Sequence, residues 1–278
     1  MSTNPTIFHN NLSKIYTLTA TASTSGFPVS NLTTDDPKRL WKTANVASSV
    51  YVTFTGSVQK NIQGIFLFGT NLTDYYRHPG ELLNCELTND NFATKTVINM
   101  STIVQKRRQI NWLTGVVEEY DYTLNYCYPN ANFQTFRIRI LLNNSLIGEP
   151  YFSIGEVFVS GTKTETLNFN SNFEAGNITR ATEIRNQFET VFVVNQSQKF
   201  VANLDFSFLT NKSAKIIENI TMESRCVLFP DTFNSSTQLA DGDCYYGTII
   251  QGSPKLNIVN YQGSLNDKVV SIVFEEAI

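Results

Sequence analysis

Apolar and polar positions fall into strand-length blocks along most of the chain. Residues 14–22 (KIYTLTATA) and 50–55 (VYVTFT) alternate with a period of two, which turns one face to a core and the other to solvent. Residues 62–69 (IQGIFLFG) form a nearly continuous apolar run, which predicts a strand buried on both faces. A turn is predicted at Gly56-Ser57 between the two. Further strands are predicted at 81–88, 96–100, 102–104, 136–140 and 154–161, and in the second half at 187–194, 198–209, 225–229, 245–250, 256–261 and 268–276. One stretch breaks the pattern. In residues 210–220 (TNKSAKIIENI), Ile216, Ile217 and Ile220 share a helical face behind a Ser213 or Asn211 cap, which predicts a short helix at 212–220. The fold class is therefore all-β, in two domains at 14–161 and 180–278, the second smaller and carrying the helix. Residues 1–13 are polar apart from Ile7, Phe8 and Leu12, and read as an arm that orders only against a neighbour. Residues 162–179 are rich in Thr, Asn, Ser and Gly with scattered Leu167, Phe169 and Phe173, and read as a linker.

Residues 31–41 (NLTTDDPKRLW) predict a tight loop. Asx side chains there hydrogen-bond nearby backbone amides, and Pro37 presets one φ. Trp41 is expected to be buried as the apolar lid of this loop. The order GFPVSNL (26–32), DDP (35–37), LW (40–41), YVTF (51–54), GTNL (69–72), FRIRI (136–140) and IGEVFVSG (154–161) resembles the galactose-binding-like, or discoidin-like, jelly roll. The resemblance implies that 14–161 is a jelly-roll sandwich. Some members of that family bind calcium near the corresponding loop through oxygens, which makes Asp35 and Asp36 candidate ligands; the competing reading has them brace the loop under Trp41. The second half, with VLFPD (227–231), YYGTI (245–249) and a last strand ending in Glu275-Glu276, resembles tailed-phage tail and baseplate proteins.

Composition narrows the function. Charged residues are only 16% of the chain, against the usual quarter, so Asn, Thr, Ser and Gln must carry the polar surface. A net charge of −3 without a basic face argues against nucleic acid as a partner. No apolar run reaches membrane-spanning length. The first residues show no basic and apolar leader, so no secretion signal is expected. Cys85, Cys127, Cys226 and Cys244 form no C-x-x-C pair and read as small apolar fillers, with a Cys226–Cys244 bridge as the alternative. Nucleotide-binding, zinc-protease and hydrolase-elbow motifs are missing, and His9 and His78 are poorly placed for a triad. No catalysis and no cofactor are expected.

Two functional classes remain. The phage resemblance implies a virion structural protein of tail or baseplate, assembled in the host cytoplasm as a homo-oligomeric ring beside other tail proteins. Phe8, Leu167, Phe169 and Phe173 are then its assembly contacts. The alternative is a carbohydrate-binding module or adhesin whose jelly-roll loops contact host glycans. Arg39, Trp112, Tyr120 and Tyr122 are the candidate glycan contacts, although Tyr126, Tyr128 and their neighbours equally suit a sandwich end or a protein interface. The basic run Lys106-Arg107-Arg108 reads as a solvated loop or as a contact to an acidic surface.

Overall fold

The computed structural model describes residues 6–43, 49–72, 83–110, 116–140, 151–164, 174–185, 191–209, 225–229, 244–250, 257–258 and 268–277. The strands are β1 (Thr6–Asn11), β2 (Thr17–Ala20), β3 (Trp41–Lys42), β4 (Val50–Ile62), β5 (Gly64–Thr70), β6 (Leu83–Thr88), β7 (Thr96–Asn99), β8 (Ser101–Ile110) and β9 (Val117–Cys127). They continue as β10 (Ala131–Ile140), β11 (Ser153–Ile154), β12 (Glu156–Thr164), β13 (Glu174–Arg185), β14 (Val191–Leu209), β15 (Cys226–Phe229), β16 (Tyr245–Ile250), β17 (Asn257–Ile258) and β18 (Lys268–Glu276). Among the described residues, helical structure is confined to two 3-10 turns, Ser13–Ile15 and Val29–Thr33. The predicted helix at 212–220 lies outside the described residues, as do His78, Leu167, Phe169 and Phe173.

The protein is all-β, as expected, with a sandwich in its first half. A 5-stranded sheet in the order β2-β4-β10-β6-β7 faces β12, β5 and β9 of an 11-stranded sheet. The sandwich core between them holds Trp41, Phe54, Phe136, Ile65, Leu67, Val157 and Val159, all fully buried. Phe54 and Phe136 stack at 4.5 Å between adjacent antiparallel strands.

The large sheet does not stop at the sandwich. Its order is β13-β14-β18-β16-β15-β1-β12-β5-β9-β8, with β17 added beside β18. Strand β14 also comes alongside β8, so the sheet curls on itself. Inside the curl lies a second core of Phe8, Phe66, Phe68, Leu124, Tyr126, Phe158, Val227, Phe229 and Tyr246. Strand β5 serves both cores, with Ile65 and Leu67 on one face and Phe66 and Phe68 on the other. That is the doubly buried strand its unbroken apolar run predicts. A third cluster, with Ile7, Phe200, Leu204, Leu228 and Phe274, lies on the other face of the C-terminal strands.

Four expectations are corrected. The arm is not an arm: β1 pairs antiparallel with β12 on one side and β15 on the other. Its few apolar residues suffice because each faces a different core, Ile7 one cluster, Phe8 a second and Leu12 the sandwich. Phe8 and Leu12 would share a face in a regular strand, and Asn10, at a φ of 60°, lies where the alternation changes. Phe8 is thus an internal core residue, with Phe66 at 4.9 Å, Tyr128 at 5.4 Å and Phe229 at 5.8 Å, and not an assembly contact.

The second correction concerns Gly56, which makes no turn. It lies within β4, where a Cβ would come within 2.9 Å of the Tyr16 ring and 2.8 Å of the Gln134 carbonyl. The third concerns the linker, whose described ends are sheet: residues 162–164 continue β12 and residues 174–179 open β13. The fourth merges two predicted strands into the long β14, which pairs with β13 and β18.

All four cysteines are buried thiols. Cys226 and Cys244 belong to different clusters on opposite faces, so the alternative of a bridge between them is set aside.

Phe8→Ala is expected to cost about 3–5 kcal/mol, the usual range for a fully buried aromatic. A denaturant titration measures it, and a loss below about 1 kcal/mol would return residues 6–11 to the status of an arm.

Candidate functional site

The loop predicted around Trp41 is built largely as expected. Trp41 is fully buried and its Nε1–H donates to Ser23 Oγ at 3.0 Å. Asn31 Nδ2 donates to the Leu40 carbonyl at 2.9 Å, closing the loop from the other side. Strand β3 pairs with β11, with Trp41 opposite Ile154 and Lys42 opposite Ser153. Because side chains alternate along a strand, burying Trp41 turns Lys42 outward.

Lys42 therefore stands at the surface of this end of the sandwich. Its Nζ lies 4.8 Å from the Phe27 ring centroid and 4.9 Å from that of Tyr151. Phe27 is 36% exposed and sits on a tight turn in which Gly26 takes a φ of 84°. The turn is fixed to β3: Thr24 N–H donates to the Lys42 carbonyl at 2.8 Å, and Phe27 N–H to the Thr24 carbonyl at 3.0 Å. Asn71 holds the other wall, donating to the Tyr151 carbonyl and accepting from Ser153 N–H, both at 2.8 Å. Among the described residues no carboxylate pairs with Lys42. Two aromatic rings and an unpaired ammonium are thus held on backbone that is hydrogen-bonded on both sides.

The residues singled out from sequence go elsewhere. Arg39 is exposed and pairs with Asp36 at 3.5 Å, three residues away. Tyr120 and Tyr122 are not on a loop but on β9. The Arg107 guanidinium lies 4.0 Å over the Tyr122 ring, and Arg107 pairs with Glu276 of β18, itself buried. Burial pushes the Tyr122 hydroxyl well above its ordinary range. Tyr122 therefore packs, partly buried, under Arg107 at the junction between the halves. The basic run is strand, not loop, and the acidic group that meets Arg107 belongs to the same chain. Trp112 lies outside the described residues.

The two aspartates separate. Asp36 accepts from Lys38 N–H at 3.1 Å and stays half-exposed. Asp35, at a φ of 60°, turns inward toward Glu156 at the start of β12. Glu156 is fully buried, and neither of its carboxylate oxygens has a hydrogen-bond partner. Burial, and next the Asp35 charge, push its carboxyl up to about 9. Lys14 pairs with the Asp35 carboxylate, Arg225 Nη2 donates to the Asp35 carbonyl at 2.9 Å, and Tyr246 Oη approaches Asp35 Oδ1 at 3.4 Å. A hard divalent cation needs six to eight oxygens. Here two carboxylates already share their surroundings with an ammonium and a guanidinium. Among the described residues no group of three or more His, Cys, Asp or Glu assembles. The donor set does not fit calcium.

A further cluster on the 5-stranded sheet is internally satisfied. Arg137 lies 4.5 Å from the Tyr51 ring and 4.1 Å from that of Phe92. Its Nε donates to Glu86 at 2.5 Å, and Lys95 donates to the other Glu86 oxygen at 2.7 Å. Burial alone would raise the Glu86 carboxyl, but the hydrogen bonds and charges of Lys95 and Arg137 outweigh it and hold it below the ordinary range.

Sequence reasoning missed Phe27, Lys42, Tyr151, Glu156 and Arg225. The signal for Lys42 was present, since a strand residue next to a buried Trp must point the other way. Glu156 and Arg225 carry no local signal, because they meet across the two halves.

No family model matches the sequence, and no curated protein matches it. Among solved structures, a chitosan-binding module from a chitosanase/glucanase of Paenibacillus sp. IK-5 is similar with a TM-score of 0.37 and 16% identity, over 55% of this chain and 100% of that one. The family 32 carbohydrate-binding module of C. perfringens NanJ, solved with galactose, gives 0.33 and 12%, over 58% and 100%. A pectin-binding carbohydrate-binding module gives 0.33 and 12%, over 53% and 91%.

Trp41→Ala is expected to cost about 3–5 kcal/mol in a thermal or denaturant melt. Unchanged stability with loss of a ligand would instead make Trp41 a binding residue. The Glu86 carboxyl is lower in the folded than in the unfolded chain. Its contribution is therefore complete above the ordinary glutamate range of about 4.3 and is lost as pH falls through the lower folded value. In an acid titration, Glu86→Gln should be less stable than the parent at neutral pH, with the gap narrowing below about pH 4. A constant gap would exclude this linkage.

Proposed function

We propose that the sandwich end bearing Phe27, Lys42 and Tyr151 binds carbohydrate, and that it favours sugars carrying an acidic group. The carrying observation is the pair of aromatic rings flanking an ammonium that no carboxylate among the described residues neutralises. A pyranose presents an apolar face of C–H groups that packs on aromatic rings. A carboxylate or sulfate on that sugar would supply the negative charge that Lys42 lacks among the described residues. The platform is held by Asn71 and by β3, so little ordering entropy is lost on binding.

The setting expected from the sequence, a tail or baseplate protein of a tailed-phage virion, is compatible with this role. A virion protein with such an end would present it to host-surface glycans. The ring assembly is a separate proposal, and with Phe8 buried in its own chain it now rests on surfaces other than β1.

The test is a glycan array with the full chain, including chitosan, galactose-terminated, pectin and sialylated oligosaccharides, followed by calorimetry on any hit. Phe27→Ala and Tyr151→Ala are each expected to weaken binding about tenfold or more, the scale of one lost aromatic contact. Lys42→Met should lose acidic glycans selectively. Absence of any hit, or hits indifferent to all three variants, would overturn the reading.

A further inference from the structure

The junction between the two halves contains an arrangement that no glycan contact requires. The loop carrying Asp35 and Pro37 presses against Gly155, where a Cβ would collide with the Pro37 carbonyl oxygen and come within 3.1 Å of the Phe68 carbonyl. This close approach brings Asp35 to Glu156, two carboxyl groups in a place that water barely reaches. Burial and the Asp35 charge push the Glu156 carboxyl up to about 9, so near neutral pH the Asp35 carboxylate carries the charge of the pair. Three side chains meet Asp35. Lys14, from the 3-10 turn before β2, pairs with Asp35. Arg225, from the residue before β15, reaches the Asp35 carbonyl with Nη2 and donates through Nη1 to Thr248 of β16. Tyr246, also of β16, lies under the guanidinium with its ring 5.7 Å away, while its hydroxyl meets Asp35. Two of the three come from the C-terminal half, whose strands β15 and β16 join the sheet of the sandwich through β1.

We propose that Arg225, with Lys14, is a built-in counter-ion that fastens the 35–37 loop of the sandwich to the C-terminal half, doing from within the chain what a bound metal would do from outside. Three observations converge on it. Lys14 pairs with Asp35, whose side chain lies beside the fully buried Glu156, so the cation stands where the loop carries its charge. The guanidinium contacts the loop backbone and the Thr248 hydroxyl of β16, so it fixes position as well as charge. And the donor set is too poor in oxygens and too rich in cations for a divalent ion. The consequence is a loop whose order is indifferent to divalent metals and dependent on the C-terminal half. It is independent of what, if anything, binds at Lys42.

The experiment uses the full chain and two readouts. Melting is followed with excess EDTA and with excess calcium chloride, and amide hydrogen exchange is followed across residues 31–41. The parent protein is expected to melt identically in both conditions and to show no heat of calcium binding. Arg225→Met keeps most of the side chain's length and removes its charge and donors. It should raise exchange at residues 34–38 about tenfold or more while β4 and β10 stay protected as in the parent. Arg225→Lys should restore part of that protection through charge alone. If Arg225→Met does not fold, Lys14→Met, which removes the more exposed cation, should produce the same local exchange change on a smaller scale. A parent melting temperature that falls with EDTA, or saturable calcium binding by the parent, would overturn the proposal. So would exchange at residues 34–38 that neither variant alters.

Discussion

Strand β1 bears on everything else because both of its edges are used. On one side its register with β12 runs from Ile7 opposite Thr164 to Asn11 opposite Ser160; on the other, Thr6 faces Phe229 and Phe8 faces Val227. Without it, β12 and β15 would each present an unpaired ladder, and sheet edges of that kind pair with other chains. With it, the sandwich and the C-terminal strands become one sheet. The double pairing also explains how so polar a segment is held. Most of its backbone groups are satisfied by ladders, and its two apolar side chains, with Leu12 just after it, are distributed to three cores.

That constraint sets what the rest of the molecule can do. A free sandwich of this kind would turn the outer face of β5, β9 and β12 to solvent, and here that face carries Phe66, Phe68, Tyr126 and Phe158. Each such ring gains about 1.5–3 kcal/mol when buried, so the face demands a cover. The C-terminal half supplies it with Phe229 and Tyr246, the latter stacked on Phe68 at 4.7 Å. Low overall charge and abundant Phe and Tyr, which from composition alone suggested surface waiting for another subunit, are used here within the chain.

Legibility in the sequence followed the range of the interaction. Local patterns read well: the alternation of β4, the double burial of β5 and the lid role of Trp41 all depend on neighbours a few positions away. Segments whose pairing is remote read badly. Residues 6–12 look like a polar arm because an isolated segment with three apolar residues has no periodicity to show. Tyr122 and Arg107 look like surface because Glu276, which pairs with Arg107 over the Tyr122 ring, lies more than 150 positions on. Gly56 misled for another reason: its small size answers a close approach by Tyr16, and the same residue type marks turns. The helix at 212–220 and Trp112 lie outside the described residues.

Two cations near the same sandwich show how burial and partners assign different work to similar charges. Arg225 is surrounded by groups the chain supplies: a carbonyl, a hydroxyl, two carboxyl groups nearby and an aromatic ring. Its charge is used where it stands, and little is left for a ligand. Among the described residues, Lys42 has only rings around its ammonium. A ring face attracts an ammonium by about 0.5–1 kcal/mol at an exposed site, enough to hold its position but far short of neutralising its charge. An ammonium held in place yet electrostatically unmatched loses little freedom when an anion arrives, and it gives up no ion pair to receive one. By that difference the junction at Arg225 is cohesion within the chain, and the end at Lys42 is where the chain has charge to spend on something else.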